Sequence, residues 1–171
     1  FKPPTPVTSD GQRALLPQAQ QLARALQHAG LPATSSLSMN DYMRFMAAVL
    51  SALTLSWDLR RWKLRELARD PALLAETALA MRESVYLLFP PRAWQRRLPL
   101  WLYSTAVRVV ARLMGPEGRE VWLHHGPKIR AQTEALVCEL LERAQPDARP
   151  EALKRLFERW QHERSTGDAR Y

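Results

Sequence analysis

The sequence predicts an all-α protein, an irregular single-domain bundle of six to seven helices. Three observations carry that expectation. Apolar residues recur at helical spacing in nearly every segment, and no stretch alternates as a half-buried strand would. The 13 prolines gather where those segments begin or end. The 6 glycines are few for the turns that a β-rich chain of 171 residues would need.

Taken in order, residues 1–12 read as an extended, proline-rich lead-in, 13–164 as the helical domain and 165–171 as a polar tail. Leu15, Leu16, Ala19, Leu22, Ala23 and Leu26 mark one face of the first helix. Gly30-Leu31-Pro32 stops it, with glycine where a left-handed cap is needed and proline just beyond; ATSSL then reads as a linker. Ser38 opens the second helix, with Asp41 three residues on in a capping-box position. Its apolar line runs through Tyr42, Met46, Val49, Leu53, Trp57, Leu64 and Leu67 to Asp70. That is one rod of up to about 45 Å, or a rod broken near Ser56.

Asp70-Pro71 is an N-cap followed by proline at the first helical position. Leu74, Ala78, Met81, Val85 and Leu88 then form a narrow bundle-type seam, which the prolines of FPPR end. Residues 91–98 are a short helix or turn. From Pro99 to Met114, Leu100, Tyr103, Val107, Val110 and Met114 align, and Leu102, Val109 and Leu113 widen the stripe. So apolar a helix is expected to be the most buried, the centre of the domain. Gly115-Pro116 and Gly126-Pro127 bracket the short helix PEGREVWLHH. Ile129, Thr133, Leu136 and Leu140 mark the next helix, and Leu153, Leu156, Phe157 and Trp160 the last.

Composition excludes several chemistries. The lone Cys138 rules out an internal disulfide framework and a cysteine zinc cluster, and it suits a reducing, cytoplasmic setting. As a nucleophile it is poor, since Glu134 and Glu142 sit one turn to either side and carboxylates raise a thiol's pKa. His124 and His125 diverge by about 100° on a helix, so no metal site is expected, and no cofactor. Neither a glycine-rich phosphate loop nor a G-x-S-x-G elbow is present. The most apolar stretch, 98–114, is interrupted by Arg108 and Arg112, which argues against a transmembrane span. Because Phe1 is not a methionine, residues are expected ahead of it, and the lack of a leader peptide excludes nothing.

The net charge of +8 favours an anionic partner. Charge is also concentrated, since no carboxylate falls between Glu83 and Glu117 while Arg92, Arg96, Arg97, Arg108 and Arg112 do. In SWDLRRWKLRELARDP, Trp57 continues the apolar line, whereas Trp62 falls beside the arginine stripe Arg61, Arg65 and Arg69 and is expected at the surface. Trp101 lies in the polar strip of its helix with Arg108 and Arg112. Together with Arg96 and Arg97 these residues compose a candidate anion- or nucleic-acid-binding face, where indoles stack and guanidinium groups neutralise phosphates. Local cation–π packing and subunit contact explain the same pattern. A membrane surface is disfavoured, because both helices are expected to spend their apolar faces on the core.

Arg60 stands where the apolar line calls for an apolar residue, and an unpaired charge there would cost several kcal/mol. A bend near Ser56, an outward-reaching side chain, or a carboxylate or anionic ligand would resolve it, with Glu76 and Glu83 the first partners to test. The functional expectation is a non-catalytic binding or adaptor domain, a subunit contacting nucleic acid or an acidic protein surface. The alternative is a small-molecule carrier or regulator with an apolar pocket among Trp57, Met81, Tyr86, Tyr103 and Trp122.

Overall fold

In the computed structural model the described residues are 5–8, 16–30, 33–36, 39–144 and 149–167. They form eight α-helices, so the all-α class holds, with two four-residue strands as the exception. Backbone contacts divide the chain into two compact units, Phe1–Met46 and Ala47–Tyr171.

The first unit contains β1 (Thr5–Thr8), α1 (Leu16–His28), β2 (Ala33–Ser36) and the opening residues of α2 (Met39–Leu59). β1 and β2 pair in parallel, Thr5 opposite Ala33 and Thr8 opposite Ser36. Parallel neighbours need a crossover, and α1 supplies it, burying Ala19 and Ala23. The lead-in and the ATSSL linker thus acquire pairing that no alternation in their own sequence announces. Proline is tolerated in such a two-stranded ladder because both strands are edges. The expected stop of α1 is present: Gly30 takes φ 76° and its N–H donates to Gln27 O at 3.0 Å. The Ser38 cap lies outside the described residues.

In the second unit, α2 is followed by α3 (Leu64–Arg69), α4 (Pro71–Leu88), a 3₁₀ turn (Trp94–Arg97) and α5 (Leu100–Leu113). Then come α6 (Pro116–His125), a second 3₁₀ turn (Gly126–Ile129), α7 (Arg130–Glu142) and α8 (Glu151–Gly167). Of the two readings for 38–70, one rod or a rod broken near Ser56, the structure has the break, a little later in the chain, because α2 stops at Leu59. Arg61 N–H donates to Asp58 O (2.7 Å) and Trp62 N–H to Trp57 O (2.9 Å), the paired bonds of a Schellman end. Arg61 and Trp62 hold φ of 49° and 60°, in the left-handed region that glycine favours. The helical rhythm resumes after the turn, so periodicity alone does not distinguish one helix from two. α8 likewise continues to Gly167, beyond the boundary drawn at 164.

The deepest positions of α2 are Ala48, Ser51, Ala52, Leu55 and Ser56, and the Tyr42–Leu53 line is only partly covered. Small residues there let helices approach closely. The buried hydroxyls are satisfied locally or across the core: Ser56 donates to Ala52 O (3.1 Å), and Thr77 on α4 donates to Ser56 Oγ (2.7 Å). Thr54 Oγ1 meets Thr133 Oγ1 of α7 at 3.3 Å.

α5 is not the centre of the unit. That place belongs to α4, which packs against α3, α5, α7 and α8. Of its expected seam, Leu74, Ala78, Met81 and Val85 are buried and Leu88 is half-buried, and a second row, Leu73, Thr77, Ala80 and Ser84, is buried as well. Asp70 Oδ1 accepts from Leu73 N–H at 3.0 Å, and Pro71 occupies the first turn. α5 buries one stripe only, Tyr103, Val107 and Ala111.

Candidate functional site

α5 presents two outward rows. Pro99 stands at its N-cap, and residues spaced by 4, 3 and 4 then put Trp101, Thr105, Arg108 and Arg112 on one exposed strip. Trp101 is 64% exposed. Val109 and Leu113 flank that strip and are exposed, Leu113 at 60%; Val110, on the far side of the helix, is exposed too, as are Val121 and Leu123 of α6. A membrane surface was disfavoured on the expectation that α5 keeps no free apolar stripe, and that expectation is overturned. Among the described residues, however, no helix is long and apolar enough to cross a membrane.

α3 lies against α5. Leu64 and Leu67 face inward, while Lys63, Arg65, Glu66 and Arg69 are exposed. Arg65 Nε donates to Ala111 O at 3.4 Å, which brings the first basic stripe to the C-terminal half of α5. Between the elements runs an open groove of about 450 Å³, lined by Lys63, Leu64, Arg65, Glu66, Arg69, Ala111, Met114 and Leu123. Lys63 Nζ sits 3.2 Å from the Glu66 carboxylate.

Trp62 does not belong to the surface expected of it. It is 4% exposed and packs with Trp57 and Trp122, its ring nearly parallel to that of Trp122 (11°, centroids 6.4 Å apart). The Trp57 and Trp122 centroids are 4.7 Å apart. The left-handed turn at 61–62 swings the indole inward, which an uninterrupted helix would not have done. Gly126 closes the cluster, since a Cβ there would run into the benzo ring of Trp62. Arg61 stays exposed.

Arg96 is engaged elsewhere. Its guanidinium covers the Tyr86 ring at 4.6 Å and its Nη1 donates to Phe89 O at 3.4 Å, fastening the turn after α4. Arg97 is exposed beside Trp94, which is 63% exposed. Of the nine residues of the expected anion-binding face, the structure therefore leaves Arg61, Arg65, Arg69, Arg97, Trp101, Arg108 and Arg112 outward. It withdraws Trp62 into the core and half-buries Arg96.

Arg60 meets a carboxylate, but neither Glu76 nor Glu83. α2 has ended by then, so its half-buried side chain reaches Asp70, the α4 N-cap. Asp70 is held below the usual carboxylate range by the Leu73 N–H first and then by Arg60. Glu76 instead accepts from Arg159 (2.9 Å), and Glu83 accepts from Leu153 N–H (2.8 Å), both toward α8.

The five residues of the expected small-molecule pocket are distributed otherwise. Trp57, Met81 and Tyr103 are core, Trp122 stacks in the tryptophan cluster, and Tyr86 lies at the surface under arginine. Burial pushes the Tyr103 phenol above its ordinary range, with Tyr86 adding to the shift, and its hydroxyl finds no partner among the described residues.

One cluster went unseen in the sequence. Asp58 receives Arg130 through Nε and Nη2 (both 2.8 Å) and Trp160 Nε1 (2.9 Å), tying α2 to α7 and α8. Asp58 lies 72 residues from Arg130 and 102 from Trp160, so no local spacing signals the pairing. No group of three or more histidine, cysteine, aspartate or glutamate side chains placed to hold a metal occurs among the described residues. No protein-family model, no curated protein and no solved structure matches the chain.

Proposed function

We propose that the chain is a non-catalytic helical binding module, a subunit or adaptor, and that an acidic protein surface is its partner. The observation that carries this is the outward face of α5, arginines with Trp101 on one strip beside exposed Val109 and Leu113. Aliphatic side chains next to tryptophan and arginine suit the composition of a protein interface. Nucleic acid is the second reading, favoured by exposed Trp101 next to Arg97, Arg108 and Arg112, but burial of Trp62 removes one of its two stacking platforms. Cys138, free in the chain, agrees with work in a reducing, cytoplasmic compartment.

The test compares the wild-type chain with Arg108→Glu/Arg112→Glu and with Val109→Asp/Leu113→Asp. All four side chains involved are on an exposed face, so the thermal midpoints are expected to stay together. Under the protein-partner reading both variants lose the bound partner in co-purification. Binding of a 20-mer oligonucleotide that falls with rising salt, is lost in the arginine variant and is untouched in the aliphatic one would establish the nucleic-acid reading instead.

A further inference from the structure

We infer that the groove between α3, the C-terminal half of α5, and α6 is the seat of an acidic amphipathic helix supplied by the partner protein. This rests on the protein-partner reading above and names where that partner docks. The floor is apolar, made of Leu64, Ala111, Met114 and Leu123. The rim is cationic: Lys63, Arg65 and Arg69 stand against one carboxylate, Glu66, which Lys63 already holds at 3.2 Å. Uncompensated charge around an apolar trough asks for a ligand with carboxylates on its flank and aliphatic groups on its inner face, which an amphipathic helix provides.

Spacing sharpens the match. Arg65 and Arg69 are four residues apart on α3, about 6 Å along its axis. Two carboxylates one turn apart on an incoming helix share that repeat, while its apolar face covers the side of the groove lined by Met114 and Leu123. Arg65 Nε is spent on the Ala111 carbonyl, so this arginine is held over the groove with its remaining N–H groups unclaimed by that bond. A nucleic-acid backbone would satisfy the rim and leave the aliphatic floor uncovered. A lipid surface would meet the Glu66 carboxylate and a concave wall rather than a flat apolar face.

The experiment selects from a displayed library of 16-residue peptides against the full chain at about 0.1 M salt. Enriched sequences are expected to be acidic and amphipathic, with carboxylates at i and i+4. Arg69→Glu and Leu123→Asp, both at exposed positions, are each expected to weaken the best peptide about tenfold. Glu→Lys in that peptide is expected to recover affinity for the Arg69→Glu chain. Peptides insensitive to both groove variants but lost in Arg108→Glu/Arg112→Glu would overturn the groove and leave the protein-partner reading standing. No enrichment of acidic peptides, with saturable binding of a 20-mer oligonucleotide or of phosphatidylglycerol vesicles instead, would overturn both.

Discussion

At the scale of single residues, the turn at 60–63 decides what faces water. Holding Arg61 and Trp62 left-handed costs about 1–2 kcal/mol each. Burying the Trp62 indole against Trp57 and Trp122 contributes about 3 kcal/mol, of the same size as that cost, although its Nε1 finds no partner among the described residues. Arg61→Gly removes strain while leaving the Schellman bonds, and a gain of about 1 kcal/mol in denaturant unfolding is expected. Gly126→Ala acts in the opposite direction. Its methyl has no room against the Trp62 ring, and a loss of about 1–3 kcal/mol with a change in tryptophan fluorescence should follow. This turn was not legible in the sequence for a physical reason: helix ends are read from glycine and proline, and here neither is present. The Arg60 anomaly was the one visible trace, an arginine on the apolar line that marked the place where the helix had already ended. Asp70 also belongs to this scale. Its folded pKa is lowered, so its contribution is present above the ordinary carboxylate value and is lost as pH falls through the folded one. Asp70→Asn keeps a capping oxygen but not the charge beside Arg60, and the gap between the two proteins in thermal midpoint should narrow below about pH 4.

At the scale of elements, the apolar seams that join the helices are supplemented by a few acidic side chains placed on neighbours' ends and flanks. Glu83 of α4 accepts from the Leu153 N–H in the first turn of α8, where the helix's own carbonyls offer no partner. Glu76 faces Arg155 and Arg159 of α8, exposed pairs of small individual worth. Asp58 is different in kind, because its carboxylate is nearly buried and receives three donors from α7 and α8. Asp58→Ala removes the bidentate acceptor of Arg130 and the acceptor of the Trp160 N–H together, and a loss of about 3 kcal/mol is expected in chemical unfolding. Asp58→Asn keeps hydrogen-bonding capacity and should lose less; equal losses would mean that packing volume, not the donor network, holds α7 and α8 in place. Most element boundaries were legible, since Asp70-Pro71, FPPR, Pro99 and Gly115-Pro116 each stop or start a helix through local backbone chemistry. The joints were not, because a carboxylate and the donor it meets 70 to 102 residues later leave no mark on either local pattern.

For the whole chain, the class was legible and the centre was not. Apolar content measures what a helix is able to bury, while its neighbours decide what it does bury. α5 is rich in valine and leucine, but it packs against α3 and α4 and keeps Val109, Val110 and Leu113 outside. α4 is less conspicuous, with threonine, alanine and serine on its second row, yet those small side chains admit helices on several sides. The same displacement made the candidate face half legible. Its arginines other than Arg96 are exposed, but Val109 and Leu113 beside them were expected in the core. If α4 is the hub, its amides between Leu74 and Val85 exchange with solvent only when the second unit unfolds as a whole. Their exchange free energy should equal the unfolding free energy from denaturation, and every mutation that destabilises this unit should lower both equally. The amides of α5 should exchange faster, through openings that leave α4 intact, because one buried stripe is all that restrains them. Slower exchange in α5 than in α4 would restore α5 as the centre. It would also mean that Val109, Val110 and Leu113 are covered in solution, and the binding face proposed for α5 would have to be sought elsewhere.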